Sequence, residues 1–174
     1  AYFNELAGGP AGGYRRLADS NADWGQNLKR LARYAQNHPD EAIKLAYFGS
    51  ADPRRYGFTC ELLPSFLGLG EPRKLTPGSY VLSVNQWLGL YDLTARDSAW
   101  TSRETQDLYR LLARRFADPT ATVEPEPRAQ RVWRQLRWSR LLYGLRRRQP
   151  DERIGYGLFV YRLTAEDIAR LTPP

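Results

Sequence analysis

The chain has 174 residues, the length of one ordinary domain, and a chain of this size can bury roughly 70% of the surface that it exposes when unfolded. Apolar residues make up 42% of it and charged residues 26%, which excludes a disordered or low-complexity chain. The formal net charge is +7, and only three of the 26 basic residues are lysines, so 23 are arginines. Because guanidinium groups fork onto carboxylates and phosphates, this composition favours nucleic acid, anionic lipid or a phosphorylated substrate as a partner. An arginine-biased genome accounts for it equally well.

Cysteine and histidine each occur once, at Cys60 and His38. This excludes an internal disulfide and a zinc site built from these residue types within the chain. The sequence has no run approaching the roughly 20 apolar residues that span a bilayer and no secretory signal, so we expect a soluble chain. It also contains no methionine and begins abruptly at Ala1, from which we expect a fragment of a larger protein.

The N-terminal half alternates strand and helix patterns. After a lead rich in glycine and proline, residues 14–19 predict a short strand that runs into a polar loop. Residues 24–35 repeat apolar side chains at helical spacing, which predicts an amphipathic helix that ends before Pro39. Residues 43–48 and 80–84 are short β-rich runs next to turn residues, and each predicts a strand.

The middle of the chain is expected to be mainly helical. The later of these strands should lead through an Asn85 cap into a short helix, whereas residues 57–75 predict an irregular loop. Residues 101–116 predict a helix with arginines in its last turn, where they complement the helix dipole. After an acidic, proline-bearing linker at 122–127, residues 128–147 predict a second long helix with a proline at or near its first position.

The C-terminal region predicts one more strand and a last helical turn. Residues 154–163 alternate in the manner of a strand whose direction the sequence leaves open, and Thr164 with Asp167 is typical of a helix cap. Strands interleaved with helices favour an α/β fold, a layered domain with a small, mostly parallel sheet flanked by helices. We expect residues 1–174 to form this single domain.

A polar loop joins the first predicted strand to the first predicted helix, a position at which α/β sheets place ligands. It holds four candidate ligand-binding residues, Asp19, Asn21, Asp23 and Gln26. Free N–H groups at a helix start attract anions, and two carboxylates at i and i+4 can hold a hard divalent cation. The same residue types also cap helices and fix turns, so a purely structural role stays open.

Other catalytic signatures are missing from the sequence. It has no Gly-rich phosphate loop, because its N-terminal glycines precede a predicted strand instead of following one. His38 stands at a predicted helix end, where a surface residue that compensates the helix dipole fits better than a catalytic base. Cys60 has no partner at a recognisable spacing, which disfavours a nucleophile.

Residues 128–148 concentrate the positive charge, with eight arginines and no acid. The apolar residues of this segment fall on two helical faces, Val132, Trp133, Leu136 and Tyr143 on one and Trp138, Leu141, Leu142 and Leu145 on the other. Two apolar faces require two neighbours, the domain's own sheet and either a partner protein, another part of the parent chain or a membrane interface. We assign the membrane or partner contact to Arg134, Arg137, Trp138, Leu141, Leu142 and Leu145. A helix mostly buried between layers of the domain is the alternative.

Four ordered blocks of the chain resemble a known family. They are Tyr2-Phe3-Asn4-Glu5-Leu6-Ala7-Gly8-Gly9-Pro10, Asp19-Ser20-Asn21 with Asp23-Trp24-Gly25-Gln26, Ala46-Tyr47-Phe48-Gly49 with Ala51-Asp52-Pro53, and Gly155-Tyr156 with Phe159-Val160-Tyr161-Arg162. Together they resemble the extracytoplasmic C-terminal domain of bacterial multi-pass membrane glycosyltransferases of the GT-C type, related to protein O-mannosyltransferases and lipid A aminoarabinose transferase. The resemblance spans nearly the whole chain. It departs from the family pattern at Asn27, where aspartate is usual, and in the arginine-rich segment.

The resemblance implies a parent enzyme that transfers a sugar from a polyprenyl-phosphate donor to an acceptor on the periplasmic face of the bacterial inner membrane. In that family the catalytic acid lies in a loop between early transmembrane helices, so no catalytic residue carries over to this chain. The implied role is a non-catalytic domain that contributes to acceptor recognition or covers the membrane-embedded site. The implied partners are the transmembrane portion of the same chain and an anionic lipid or polyprenyl-phosphate carrier, with no cofactor, no metal and no nucleic acid.

Two other function classes stay open on the residues alone. One is a stand-alone α/β enzyme or ligand-binding domain with a metal or phosphate at residues 19–26. The other is a nucleic-acid-binding module, which the net charge suggests. Against the latter, basic residues alternate with acids outside residues 128–148, and the sequence has no helix-turn-helix or RNP signature.

Overall fold

The computed structural model describes residues 26–65, 74–90, 93–117 and 126–173. Six α-helices and five β-strands follow one another in this part of the chain. In order they are α1 (Leu28–Asn37), β1 (Ile43–Ala46), β2 (Glu61–Leu62), β3 (Gly78–Ser83), α2 (Val84–Trp87), α3 (Asp97–Thr101), α4 (Arg103–Ala117), α5 (Pro127–Leu145), β4 (Glu152–Ile154), β5 (Leu158–Leu163) and α6 (Ala165–Leu171). Short 3-10 turns occur at Pro53–Tyr56 and Leu93–Ala95.

The strands form one five-stranded sheet in the order β2-β1-β3-β5-β4. Strand β1 pairs in parallel with both β2 and β3, whereas β5 is antiparallel to its neighbours β3 and β4. Consequently β4 points the same way as the first three strands, and only β5 runs against them. The predicted layered α/β domain is confirmed, and the direction that the sequence left open for the last strand is antiparallel.

Alternating side chains place one core on each face of the sheet. Leu45, Val81 and Val160 stand side by side in the strand register and contact the apolar side of α1. On the opposite face, Tyr80 and Tyr161 lie in the cluster that α5 and α6 cover. The sheet is therefore the middle layer of three.

Helices α3 and α4 add a further layer outside α5. Trp100 and Tyr109 meet edge to face with ring centroids 5.4 Å apart, and both lie in a cluster with Leu112 and Leu136. Helix α5 thus has an apolar neighbour on each side, which explains why its apolar residues occupy two faces instead of one stripe.

Several predicted elements are confirmed, and their ends follow local signals. Helix α1 stops at Asn37, just before His38 and Pro39. Helix α5 begins at Pro127, since a proline at the first helical position gives up no intrahelical hydrogen bond. Helix α6 starts with a capping box in which Thr164 Oγ1 accepts from the Asp167 amide at 3.1 Å.

Three predictions about elements are wrong, and one lies outside the described residues. Residues 154–163 form two strands, β4 and β5, because Gly155 takes a φ of 61° and turns the chain. Ser83, not Asn85, caps α2. The segment predicted as an irregular loop, residues 57–75, contains strand β2, and main-chain hydrogen bonds pair this strand with β1. The strand predicted at residues 14–19 falls outside the described part.

Candidate functional site

The carboxyl ends of β1, β3 and β4 meet at one edge of the sheet because these strands point the same way. Helix α1 precedes β1 and packs across its face, so α1 begins near this same edge. Open α/β sheets bind ligands at the carboxyl edge, where strand order changes direction along the sheet. The chain moves from β1 out to β2 and then crosses back to β3, so such a change of direction lies between β1 and β3.

The turn between β4 and β5 closes against the start of α1. A Cβ atom on Gly155 would overlap Nη1 of Arg30 and lie 2.7 Å from Oδ1 of Asn27. Gly155 also has a φ of 61°, which favours glycine. The same turn is also hydrogen-bonded to the residue that follows β3, because the Val84 amide donates to the Gly157 carbonyl at 2.8 Å. Gly155 therefore permits the close approach of the β4–β5 turn to the start of α1.

Amide and hydroxyl groups follow β3 at this edge. Ser83 Oγ accepts from the Gln86 amide at 3.4 Å and caps α2. The Gln86 side chain donates through Nε2 to the Pro64 carbonyl at 3.1 Å, which ties the end of β3 to the segment after β2. Asn85 and Asn27 are also buried, at 0% and 6% exposure.

The segment after β1 turns back over the same edge. Tyr47 is buried and its hydroxyl donates to the Ala51 carbonyl, which closes the loop between them. Asp52 begins the following 3-10 turn by accepting from the Arg54 amide at 2.9 Å. Hydrogen bonds from Arg54 hold the pKa of Asp52 below its usual value. The carboxylate is thus ionised and committed to the turn.

The polar side chains of this edge differ in their access to solvent. Ser83, Gln86 and Asn27 are buried, at 0%, 6% and 6% exposure, whereas the Arg30 guanidinium is exposed. An exposed guanidinium can recognise an anionic ligand group. Within the four described ranges, no group of three His, Cys, Asp or Glu residues could hold a metal ion.

Only one of the four predicted ligand-binding residues lies in the described part of the chain. Asp19, Asn21 and Asp23 lie outside it. Gln26 is exposed two residues before α1. The metal or phosphate site stays a prediction.

The predicted contact face of α5 is wrong in its apolar part. Trp138, Leu141, Leu142 and Leu145 are 0–1% exposed and lie in the core between α5 and the sheet. Side chains enclosed in this way cannot contact a membrane or a partner. The second apolar face is also covered within the chain, by α3 and α4, so the alternative of a helix buried between layers describes residues 136–145.

The two arginines assigned to the same contact differ from each other. Arg137 donates through Nη2 to Thr172 Oγ1 at 3.0 Å and lies 5.7 Å from the ring centre of Trp133. It therefore joins α5 to the end of α6. Arg134 is exposed, one turn earlier in the helix, and its contact with a membrane or partner stays a prediction.

A polar network at the opposite, amino edge of the sheet was not predicted. Both Tyr34 and Ser79 donate hydroxyl hydrogen bonds of 2.6 Å to Oε2 of Glu41, while Arg162 Nε donates to its Oε1 at 2.7 Å. Burial raises the pKa of Glu41, but these three hydrogen bonds outweigh it and lower that pKa to about 2. Every oxygen of this carboxylate is occupied, so the network stabilises the fold. No local pattern signals it, since Glu41 and Arg162 are 121 residues apart in the chain.

A second unpredicted polar pair lies between β1 and β2. Lys44 is 5% exposed and forms an ion pair with Glu61, its cross-strand neighbour in the parallel register. Its ammonium group also donates to Thr76 Oγ1 at 2.8 Å. A lysine inside a strand run is the sequence signal that could have indicated a buried partner, because an unpaired buried ammonium is strongly unfavourable.

The single histidine and cysteine show no catalytic arrangement. His38 follows α1, its Nδ1 lies 2.9 Å from the Tyr34 carbonyl, and its ring stacks on that of Tyr34. It lines a pocket of about 350 Å³ together with Glu41 and Phe58. Burial raises the pKa of the Cys60 thiol to about 11, which disfavours the nucleophilic thiolate.

Comparisons of the chain with protein-family models, curated proteins and solved structures find no match. The five-stranded sheet with helices on both faces defines the class of the molecule as a layered α/β domain. The resemblance of the four sequence blocks to membrane glycosyltransferases stays a prediction.

Proposed function

We propose that this chain is the non-catalytic extracytoplasmic domain of a polyprenyl-phosphate-sugar-dependent membrane glycosyltransferase. In this role it contributes to acceptor recognition or covers the membrane-embedded site of its parent enzyme. Its partner is the transmembrane portion of the same chain, at the periplasmic face of the bacterial inner membrane. Among the helices that the structure describes, none has the length and apolar character needed to cross a bilayer.

One observation carries the proposal: separate blocks of the resemblance meet at the carboxyl edge of the sheet. The block that contains Tyr47 and Ala51 follows β1, and the block that begins at Gly155 forms the β4–β5 turn. Gly155 lies against Asn27, the residue that follows the block ending at Gln26. The described residues of two of these blocks therefore lie at one edge of the sheet, which is what parts of one binding surface require.

The chemistry of this edge supports recognition more than catalysis. The exposed Arg30 guanidinium can bind a phosphorylated group, the chemistry that a lipid-linked donor presents. General acid-base catalysis requires titratable groups near the reacting atoms. Among the described residues of this edge, the Asp52 carboxylate is instead committed to the turn that it begins.

The assignment to a larger membrane enzyme is tested by detecting the native protein. Antibodies raised against the 174-residue chain should recognise a membrane-fraction protein much larger than 20.0 kDa. Protease added outside spheroplasts should destroy the epitope. Detection of a 20.0 kDa protein in the cytosolic fraction would overturn the proposal.

The role of the carboxyl edge is tested by sugar transfer in membranes that contain the native enzyme. Gly155→Ala should lower transfer of a labelled sugar from polyprenyl phosphate by roughly tenfold or more, because the added methyl displaces the side chains of Arg30 and Asn27. Gly57→Ala is the matched control, since Gly57 also has a positive φ, of 81°, but no atom within 4 Å of the added Cβ. The isolated chain should transfer no sugar. Equal activity of both variants at equal protein levels would contradict the role of this edge.

A further inference from the structure

The helical hairpin of α4 and α5 carries most of the exposed large apolar side chains of the described residues. Leu108, Leu111 and Val132 are 43%, 64% and 38% exposed, and Tyr156 in the β4–β5 turn is the fourth. Isolated exposed apolar residues are ordinary, but a group of them on one element marks an interaction surface. The hairpin is also where the arginine-rich segment begins.

Helical geometry places the three side chains on one side of the hairpin. Tyr109 and Phe116 of α4 turn towards α5, where their ring centres lie 5.1 and 5.7 Å from that of Trp133. Each residue of an α-helix is rotated by about 100° from the one before it. This rotation places Leu108 and Leu111 on one side of the contact between α4 and α5, and it places Val132 next to Trp133 on α5. Because the two helices run in opposite directions, both positions open on the same side.

Two arginines share this surface with the apolar residues. The same helical steps place Arg115 next to Leu108 and Leu111, and Arg128 one turn before Val132. Both arginines are exposed, and no ion pair involves either of them in the part of the chain that the structure describes. We call Leu108, Leu111, Arg115, Arg128 and Val132 the hairpin face.

The two acids of α4 near the face differ. Asp107 is paired with arginines, since its Oδ1 accepts from Arg110 at 3.2 Å and its Oδ2 lies 3.8 Å from Arg103. Glu104 precedes Leu108 by one turn and accepts from the neutral Ser102 hydroxyl at 3.1 Å, so its charge offsets one arginine of the face. Two further exposed arginines, Arg114 and Arg131, flank the face and add to its positive field.

We infer that the hairpin face docks onto an anionic lipid surface. Exposed leucine and valine can enter the boundary between headgroups and acyl chains, while guanidinium groups remain at the level of the lipid phosphates. Nucleic acid offers phosphates but no apolar layer for these side chains, so the mixed face favours lipid. The inference rests on the hairpin alone and holds whether or not the parent is a glycosyltransferase.

The test uses the 174-residue chain and sedimentation with lipid vesicles. One set contains phosphatidylcholine only, and the other contains phosphatidylcholine mixed with phosphatidylglycerol. The chain should bind the anionic vesicles and not the zwitterionic ones, and binding should weaken as salt screens the arginines. Each arginine near an anionic surface contributes roughly fivefold in affinity, so Arg115→Gln with Arg128→Gln should weaken binding about 25-fold.

A matched double variant separates a defined face from general positive charge. Arg33→Gln with Arg55→Gln removes the same charge at two exposed arginines elsewhere on the surface, and it should weaken binding less than threefold. Leu111→Ser should also weaken binding to anionic vesicles several-fold without changing the net charge. Circular dichroism of each variant checks that the helices remain.

Three results would overturn the inference. The first is no binding to anionic vesicles by the unaltered chain at low salt. The second is equal weakening by both double variants, which would show that net charge alone attracts the chain. The third is tighter binding to a duplex oligonucleotide than to anionic vesicles under the same conditions, which would identify nucleic acid as the partner. None of these results depends on whether the parent protein is detected in membranes.

Discussion

The arginine-rich segment of residues 128–148 consists of two regions with similar composition and different surroundings. In its first half, Arg128, Arg131 and Arg134 are exposed, and no ion pair involves them within the described ranges. In its second half, Arg146 is 9% exposed as a side chain and contacts three groups of the domain. Burial along α5 explains the difference, because the buried residues of this helix begin only at Leu136.

In the second half of the segment, arginine side chains make hydrogen bonds and ion pairs within the fold. Arg146 donates to the carbonyls of Trp87 and Ala95 and to Asp97 Oδ1 at 2.8 Å, so one side chain joins the end of α5 to the end of α2 and the start of α3. Arg148 forms an ion pair of 2.7 Å with Asp151. The arginines of the segment therefore form two groups. Those such as Arg146 and Arg148 link parts of the fold, whereas Arg128, Arg131 and Arg134 are exposed.

The largest expected effect is a loss of stability on substitution of Trp138, in the buried half of the segment. Trp138→Ala should lower the free energy of unfolding by about 3–5 kcal/mol, because it empties a site in the core between α5 and the sheet. Urea denaturation followed by circular dichroism measures the change.

Trp138→Phe is the control for that cavity. It retains most of the ring volume, and the lost N–H has no hydrogen-bond partner among the described residues, so it should cost clearly less than the alanine variant. A cost below about 1 kcal/mol for Trp138→Ala would contradict the burial of this face.

A smaller loss is expected from Arg146→Met. The substitution keeps the apolar stem but leaves the carbonyls of Trp87 and Ala95 without their charged donor, which should cost about 2–4 kcal/mol. Denaturation at neutral pH measures it, with Arg131→Met as a control that removes the same charge from the exposed half. Equal stability of the two variants would show that both halves of the segment are equivalent.

The sequence predicts the elements of this fold well where the signal is local. Apolar periodicity identifies α1, and turn residues delimit β1 and β3. The break between β4 and β5 was also readable, since Gly155 interrupts the strand pattern and a glycine inside a strand run often marks a turn or a bulge. Both apolar faces of α5 were visible for the same reason, because helical spacing is a property of the chain alone.

What the sequence could not predict are the partners of these faces. Trp138 and Trp133 look alike in sequence, but the sheet covers the first and α4 lies against the second. The choice depends on where distant segments lie, and no periodicity encodes it. The carboxyl-edge site has the same difficulty, because the approach of Gly155 to Asn27 joins residues far apart in the chain.

A third prediction extends the comparison to Arg162, a partnered arginine outside the segment. Glu41→Gln should lower the free energy of unfolding by about 1–3 kcal/mol at pH 7, because Arg162 loses its charged acceptor. In the folded chain the pKa of Glu41 is lowered from 4.5 to about 2, so the carboxylate stabilises the fold above pH 4.5. This contribution is lost as the pH falls from about 4.5 to 2.

Stability of the native chain should therefore decline over that pH range, and the Glu41→Gln variant should decline less. Denaturation midpoints measured across acidic pH give the comparison. Glu152→Gln removes a different carboxylate that accepts from Arg162 at 3.0 Å, and it should leave the Glu41-dependent decline in place. Parallel pH profiles of native chain and Glu41→Gln would contradict the network.

The smallest effect is expected at Arg134, and its sign decides whether the first half of the segment has an internal role. Arg131, Arg134 and Arg137 succeed one another at i, i+3 spacing on α5, where like charges repel by a few tenths of a kcal/mol per pair. Methionine has a helix propensity close to that of arginine, so Arg134→Met should raise the free energy of unfolding by up to about 0.5 kcal/mol at low salt. High salt should abolish the gain, because screening removes the repulsion that the substitution relieves. A loss above about 1 kcal/mol would instead reveal a partner within the fold and place Arg134 with Arg146. A small gain would mean that the exposed half retains charge at a cost to stability, as a surface that binds an external anion does.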